Sequence, residues 1–277
     1  MNKVEIQVNS KTTSYWTNDL PIKENLLFLH GFRGNHKGLL KVTDTLKENF
    51  NIILPDLPGY GESEPLNKKH TFEAYASFLA EFSEAINFNK GVVIGHSFGA
   101  SLALVFAAYF PNLVKSLYLI APVISADTLE ASLGKLFYEV GFYLPFPLRK
   151  MWLLNRPFDA ISSLVLFKTS SFSKRLELVY DGQKNIRRLN EKIVLENFLS
   201  YYETDFQELA KKISMPTYVI SGTKDSLCPE STLLKLVKKI KHPQIVRIPD
   251  EGHIIPLEQP RLLGNILSGL LSDTIKL

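Results

Sequence analysis

Residues 92–101 read VVIGHSFGAS, an apolar run that crosses a glycine and reaches a single serine set among small residues. The run VVIG has the β-branched character of a strand buried on both faces, and GASLALVFAAYF, residues 99–110, has the pattern of a helix that Pro111 stops. Gly95-His96-Ser97-Phe98-Gly99 is therefore a G-x-S-x-G string in the turn between a strand and a helix. Five loosely specified positions mean little alone. In that setting they describe a sharp turn that lifts a serine hydroxyl off the end of a sheet. So tight a reversal strains the backbone at Ser97, and side chains two residues before and after would clash, which accounts for Gly95 and Gly99. The plainer reading is a helix that opens with Ser97 as its N-cap. What the rest of the chain supplies decides between the two.

Outward from this turn the alternation repeats. Towards the N-terminus, VEIQV (4–8) and SYWTN (14–18) read as an opening hairpin, NLLFLH (25–30) and NIILPD (51–56) as strands, and KGLLKVTDTLKENF (37–50) as a helix. TFEAYASFLAEFSEAINF (71–88) is a second helix, with Thr71 as its cap. Towards the C-terminus, VKSLYLIAPV (114–123), TYVISGT (217–223) and QIVRIP (244–249) are strand-like, while STLLKLVKKI (231–240) and PLEQPRLLGNILSGLL (256–271) are helical. Apolar strands separated by helices imply an α/β chain with a mostly parallel sheet wrapped by helices.

The alternation lapses once, over residues 125–206, which carry no convincing strand and many aromatics, Phe137, Phe142 and Trp152 among them. FYLPFPLRKMW (142–152) has two prolines two residues apart and marks a sharp loop. We read 125–206 as a helical cap inserted into a core made of 1–124 and 207–277. Most of its aromatics serve to pack the insertion onto the body; Phe137, Phe142 and Trp152 are candidates to line a cleft beneath it.

Composition excludes several other classes. The chain has 277 residues, 45% of them hydrophobic, enough for a substantial core. A net charge of +4 with scattered lysines and arginines argues against a nucleic-acid partner. No apolar run approaches the roughly 18 residues of a membrane helix, so stable membrane insertion is not expected. The opening residues lack a secretory signal pattern. The single cysteine, Cys228, excludes an internal disulfide and a zinc cluster, and makes a reducing, cytoplasmic setting the default expectation.

A serine hydroxyl is a poor nucleophile at neutral pH. It needs a base, and the base needs a carboxylate to fix its tautomer and stabilise the imidazolium. YVISGTKDSLCPE (218–230) places Asp225 in the loop leaving one strand, and VRIPDEGHIIPLEQP (246–260) places His253 in the loop leaving the next. Both loops end at the carboxyl edge of the sheet, where Ser97 stands and where open α/β sheets bind ligands. Asp127, just past an earlier strand, is the fallback acid. Asp250 and Glu251 lie too near His253 in sequence and are assigned to solvent. His30, His36, His70, His96 and His242 are read as structural or solvated. Acyl transfer also needs donors for the developing oxyanion: the backbone amides of Phe98, after the serine, and of Phe32, in the glycine-flanked loop after LLFLH. The Phe32 side chain is a candidate pocket wall, and Arg33 a weaker candidate for an anionic substrate group.

HGF (30–32), DLPGYGES (56–63), GHSFG (95–99), GTKDSLCP (222–229) and EGHIIPLEQP (251–260), in this order from Leu26 to about Leu271, resemble the α/β-hydrolase fold superfamily. The resemblance implies an eight-stranded, mostly parallel sheet, a cap inserted after the sixth strand, no cofactor, and a structural rather than chemical role for DLPGYGES, Asp56 included. The chain departs from many lipases in carrying HGF where they have HGGG, and His36 has no explanation at this level. Dehalogenases and epoxide hydrolases of the fold carry aspartate where this chain has Ser97.

These readings combine into an expected mechanism. Ser97, deprotonated by His253, attacks an acyl carbonyl; the amides of Phe32 and Phe98 hold the oxyanion; His253 protonates the leaving group and then activates water. A base must start neutral, so activity is expected to fall in mild acid. The aromatic insertion points to a small-molecule carboxylic ester of modest size and apolar character. The same three residues would serve a carbon-carbon bond hydrolase, a perhydrolase or an acyltransferase, and a ligand-binding receptor could keep the fold without turnover. The sequence specifies no oligomeric state.

Overall fold

The computed structural model describes residues 1–20, 23–124, 129–145, 147–153 and 189–275, with Ser173, 176–178 and Tyr180. Asp127 lies outside these residues. Eight strands form one sheet: β1 (Asn2–Val8), β2 (Lys11–Thr17), β3 (Asn25–Leu29), β4 (Asn51–Pro55), β5 (Gly91–His96), β6 (Val114–Ile120), β7 (Thr217–Gly222) and β8 (Pro243–Ile248). Their order is β1-β2-β4-β3-β5-β6-β7-β8. The opening hairpin turns through Asn9 and Ser10, both at positive φ, and its second strand pairs antiparallel with β4. Every later neighbour is parallel. Hence β3, β5, β6, β7 and β8 all deliver their carboxyl ends to one edge.

The continuous apolar runs are explained by burial on both faces. In β5 all six residues are buried; Val93 joins one core, Val92 and Ile94 the other. β3 divides in the same way, Leu27 and Leu29 against Leu26 and Phe28. Helices α2 (Phe72–Ala85) and α3 (Phe98–Tyr109) cover the first face. The second is covered by α1 (Lys37–Thr43) and by the C-terminal helix Pro260–Ile275. The Thr71 hydroxyl caps α2 by accepting from the Ala74 amide, as the sequence predicts.

Two helices depart from the pattern read from periodicity. The helix expected over 37–50 ends at Thr43 and continues as turns. The hydroxyls of Thr43 and Thr45 donate back to the carbonyls of Leu40 and Val42, which favours turns over a regular ladder. Near the C-terminus Pro260 divides the expected helix into a short segment, Ile255–Glu258, and the longer Pro260–Ile275.

Between β6 and β7 the described residues form helices and no strand: α4 (Leu129–Tyr143), α5 (Leu148–Leu153), α6 (Glu191–Glu203) and α7 (Phe206–Ala210). Helices α8 (Glu230–Val237), α9 (Ile255–Glu258) and α10 (Pro260–Ile275) complete the chain. A buried polar cluster fastens α6 to the body. The Asn197 amide donates to the carbonyls of His70 and Ile193 and to the Tyr75 hydroxyl, and the Tyr60 hydroxyl donates to Asn197 Oδ1 at 3.2 Å. Glu196 accepts from both the backbone amide and the ring of His70, and Ser200 Oγ accepts from the Phe72 amide. Each buried polar atom of this cluster has a partner, so it holds α6 in one place at little desolvation cost.

Candidate active site

The turn after β5 has the strain its sequence implies. Ser97 sits at φ 55°, ψ −118°, outside the regions that residues with a Cβ normally occupy. The two glycines matter for different reasons. A Cβ on Gly95 would lie 2.1 Å from the Gly99 carbonyl oxygen, so that clash is within the turn. A Cβ on Gly99 would lie 2.2 Å from the carbonyl oxygen of Leu29, so the second glycine is required by the end of β3, one strand away.

The carboxyl ends of β5, β7 and β8 bring three side chains into one hydrogen-bonded chain. His253 Nε2 lies 2.8 Å from Ser97 Oγ, and His253 Nδ1 lies 2.9 Å from Asp225 Oδ2. All three residues are buried, with exposures of 8% for Ser97, 3% for His253 and 6% for Asp225. The loops carrying the last two are themselves joined. The Lys224 amide donates to the Glu251 carbonyl, the Asp250 amide donates to Thr223 Oγ1, and a Cβ on Gly222 would strike the Glu251 carbonyl. Asp225 Oδ1 accepts from the amides of Leu227 and Cys228 at 2.9 and 3.0 Å. Burial pushes the Asp225 carboxyl up, but the His253 ring and these amides outweigh it, and the group lies below the ordinary carboxylate value.

The loop after β3 runs beside the serine. The Gly34 amide closes a turn onto the Gly31 carbonyl, and Arg33 takes φ 57°. His30 braces this loop: its ring sits 3.0 Å from the Gly31 carbonyl oxygen through Nδ1, and Nε2 accepts from the Leu57 amide. Burial depresses the His30 imidazole, which favours the neutral ring that this pairing requires. The ring of Phe32 approaches Phe98 at 6.3 Å and Tyr138 of α4 at 6.1 Å. Phe98 is the first residue of α3, so its amide is one of the donors that a helix leaves without an internal partner.

The remaining residues named from sequence fall as follows. Phe137 and Trp152 stack at 5.4 Å, and the Trp152 indole donates to the Phe137 carbonyl. Phe142 is half exposed and packs edge-on against Tyr143. Asp56 is buried: Oδ1 accepts from the His36 amide and ring, and Oδ2 accepts from the Glu62 amide. Gly61, at φ 54°, leaves space that a Cβ would take from this carboxylate. His36 thus has a structural role, clamped to Asp56 and stacked on Trp16 at 3.3 Å. Tyr138 and Tyr201 were not singled out by the sequence. Tyr138 stacks on Phe198 of α6 at 4.1 Å, and Tyr201 packs edge-on against Phe72 at 4.9 Å. Nothing in the local sequence distinguishes them from other aromatics of the insertion. Among the described residues no three His, Cys, Asp or Glu side chains group so as to hold a metal ion, and no helix is long and apolar enough to cross a membrane.

Comparison with known proteins places the chain in a family. The sequence profile of the alpha/beta hydrolase fold matches residues 24–260, and the chain belongs to that family. Among curated relatives, Lipase 3 of Moraxella sp. (strain TA144) is 29% identical over 95% of this chain and 84% of its own length. Lipase 1 of Psychrobacter immobilis is 26% identical over 93% and 81%. A thermophilic esterase from Thermogutta terrifontis superposes with a TM-score of 0.82 at 24% identity, covering 99% of both chains, a likeness of fold.

Proposed function

We propose that the protein is a serine hydrolase that cleaves carboxylic esters of small to medium, largely apolar substrates. The observation that carries this reading is the unbroken chain from Ser97 Oγ through the His253 ring to Asp225. Asp225 fixes the tautomer in which Nδ1 carries the proton, leaving Nε2 to take the proton of Ser97. Ser97 then attacks the acyl carbonyl, and the amides of Phe32 and Phe98 receive the oxyanion. His253 returns the proton to the leaving alcohol, and then activates water to release the acid. The lipase relatives support an ester as the bond cleaved.

The insertion 125–206 acts in this reading as the cap. Phe32 walls the acyl site where it meets Tyr138, and Phe137 and Trp152 back that wall, since Phe137 packs edge-on against Tyr138 at 5.3 Å. Apolar area next to the serine favours apolar acyl or alcohol groups. Chromogenic esters from acetyl to decanoyl, run on wild type and Ser97→Ala, test the reading. We expect kcat in the variant to fall by about six orders of magnitude, the scale for loss of a triad nucleophile. Equal rates in the two proteins would refute it, and a diketone turned over faster than every ester would move the reaction to carbon-carbon cleavage.

A further inference from the structure

His96, inside the turn sequence, is buried in the elbow yet takes no part in the proton path from Ser97 to Asp225. Its Nε2 lies 3.0 Å from the backbone carbonyl oxygen of His253 itself. A carbonyl can only accept, so Nε2 carries the hydrogen and Nδ1 is bare. The bare nitrogen faces the loop after β3, since a Cβ on Gly31 would lie 3.1 Å from it and 3.5 Å from the Ser97 Cβ. The ring therefore stands between the loop that carries the Phe32 amide and the residue that carries the base, with ring centroids of His96 and His253 5.5 Å apart. The bond is to the peptide of residue 253, so it fixes the Cα from which the base projects.

We propose that His96 is a positioning residue for the base: its Nε2–H holds the backbone of His253 so that the imidazole stays aligned with Ser97 and Asp225. This rests on the serine hydrolase reading. A small misplacement of a reacting group is expensive in rate, whereas a lost hydrogen bond alone costs modest stability. The neutral ring is also the state the site favours, because burial and the neighbouring His253 push the His96 imidazole down to about 4.

The test compares His96→Leu, which fills the space without a donor, with His96→Gln, whose amide nitrogen replaces Nε2–H. We expect kcat on a short ester to fall by about tenfold in His96→Leu with KM within about twofold, and His96→Gln to recover most of the loss. Independently of turnover, the low-field proton of the His253 Nδ1–H to Asp225 bond, read by NMR, should persist in wild type and His96→Gln and broaden in His96→Leu. Equal kcat and equal proton signals in the two variants, both folded by thermal melting, would overturn the proposal. If the wild type hydrolysed no ester, the hydrolase reading would fall, while the proton signal would still decide whether His96 orients His253.

Discussion

The elbow around Ser97 and the helical stretch between β6 and β7 put residues to opposite uses. At the elbow the determinants are backbone: a positive φ at Ser97, a Gly95 that tolerates no Cβ, a Gly99 pressed on β3, and loops tied amide to carbonyl. In α4 to α6 they are side chains: the Phe137–Trp152 and Tyr138–Phe198 stacks, and a polar cluster centred on Asn197. Backbone constraints select residue types almost uniquely, since glycine alone fits. Packing constraints accept any apolar group of suitable volume. The first region should therefore fail sharply when altered, the second gradually.

After loss of the Ser97 hydroxyl itself, the largest expected effect is at Asp225. Asp225→Asn should keep the fold and reduce kcat by about 10⁴-fold through the wrong His253 tautomer, as measured on the short esters; a loss of less than tenfold would leave the carboxylate without its assigned role. Next comes the elbow itself. Gly95→Ala places a methyl 2.1 Å from the Gly99 carbonyl and should destabilise the protein by about 3 kcal/mol or prevent folding, measured by urea unfolding. A variant as stable as wild type would show that the turn has more room than its geometry allows.

A third effect is set by pH. His96 titrates at about 4 in the folded chain, whereas an ordinary imidazole titrates at about 6.5. Between these values the unfolded chain takes up a proton that the folded chain refuses. Stability present above pH 6.5 is therefore lost as pH falls towards 4, on the order of 2 kcal/mol from this group between pH 7 and 5. Burial shifts His30 and His70 in the same direction, so the wild type should lose more than this single share. Urea midpoints at the two pH values should show the loss, and His96→Gln should flatten it in part; an unchanged slope would remove His96 from the account. The smallest effect belongs to the aromatic helices. Trp152→Ala should leave hydrolysis of acetyl esters within about threefold and alter the preference for longer acyl chains by about tenfold, because one apolar contact is worth about 1–3 kcal/mol in discrimination.

This contrast also explains what was legible in the sequence. The sheet could be read because strands buried on both faces form continuous apolar runs, as in NLLFLH and GVVIGH. Ser97, Asp225 and His253 could be named because each stands in a loop at a strand's carboxyl end, and the structure sets the His253 ring 2.8 Å from Ser97 and 2.9 Å from Asp225. Three kinds of feature were hidden. The end of α1 depends on threonine hydroxyls competing with the helix, which periodicity does not register. The role of His36 depends on Asp56 and Trp16, twenty residues away in either direction, and a lone histidine announces neither. The ring contact between Phe32 and Tyr138 joins a loop to a helix more than a hundred residues later, a pairing with no local signature.

The central claim is that the strained serine at 97 is the nucleophile and that His253 makes it one. Its most direct test is to treat the native protein with a fluorophosphonate and map the adduct by peptide mass. The account predicts a single phosphonate on the peptide containing Ser97, with labelling abolished in His253→Gln although that variant remains folded. An adduct on another serine, or folded wild-type protein left unmodified at Ser97, would contradict it.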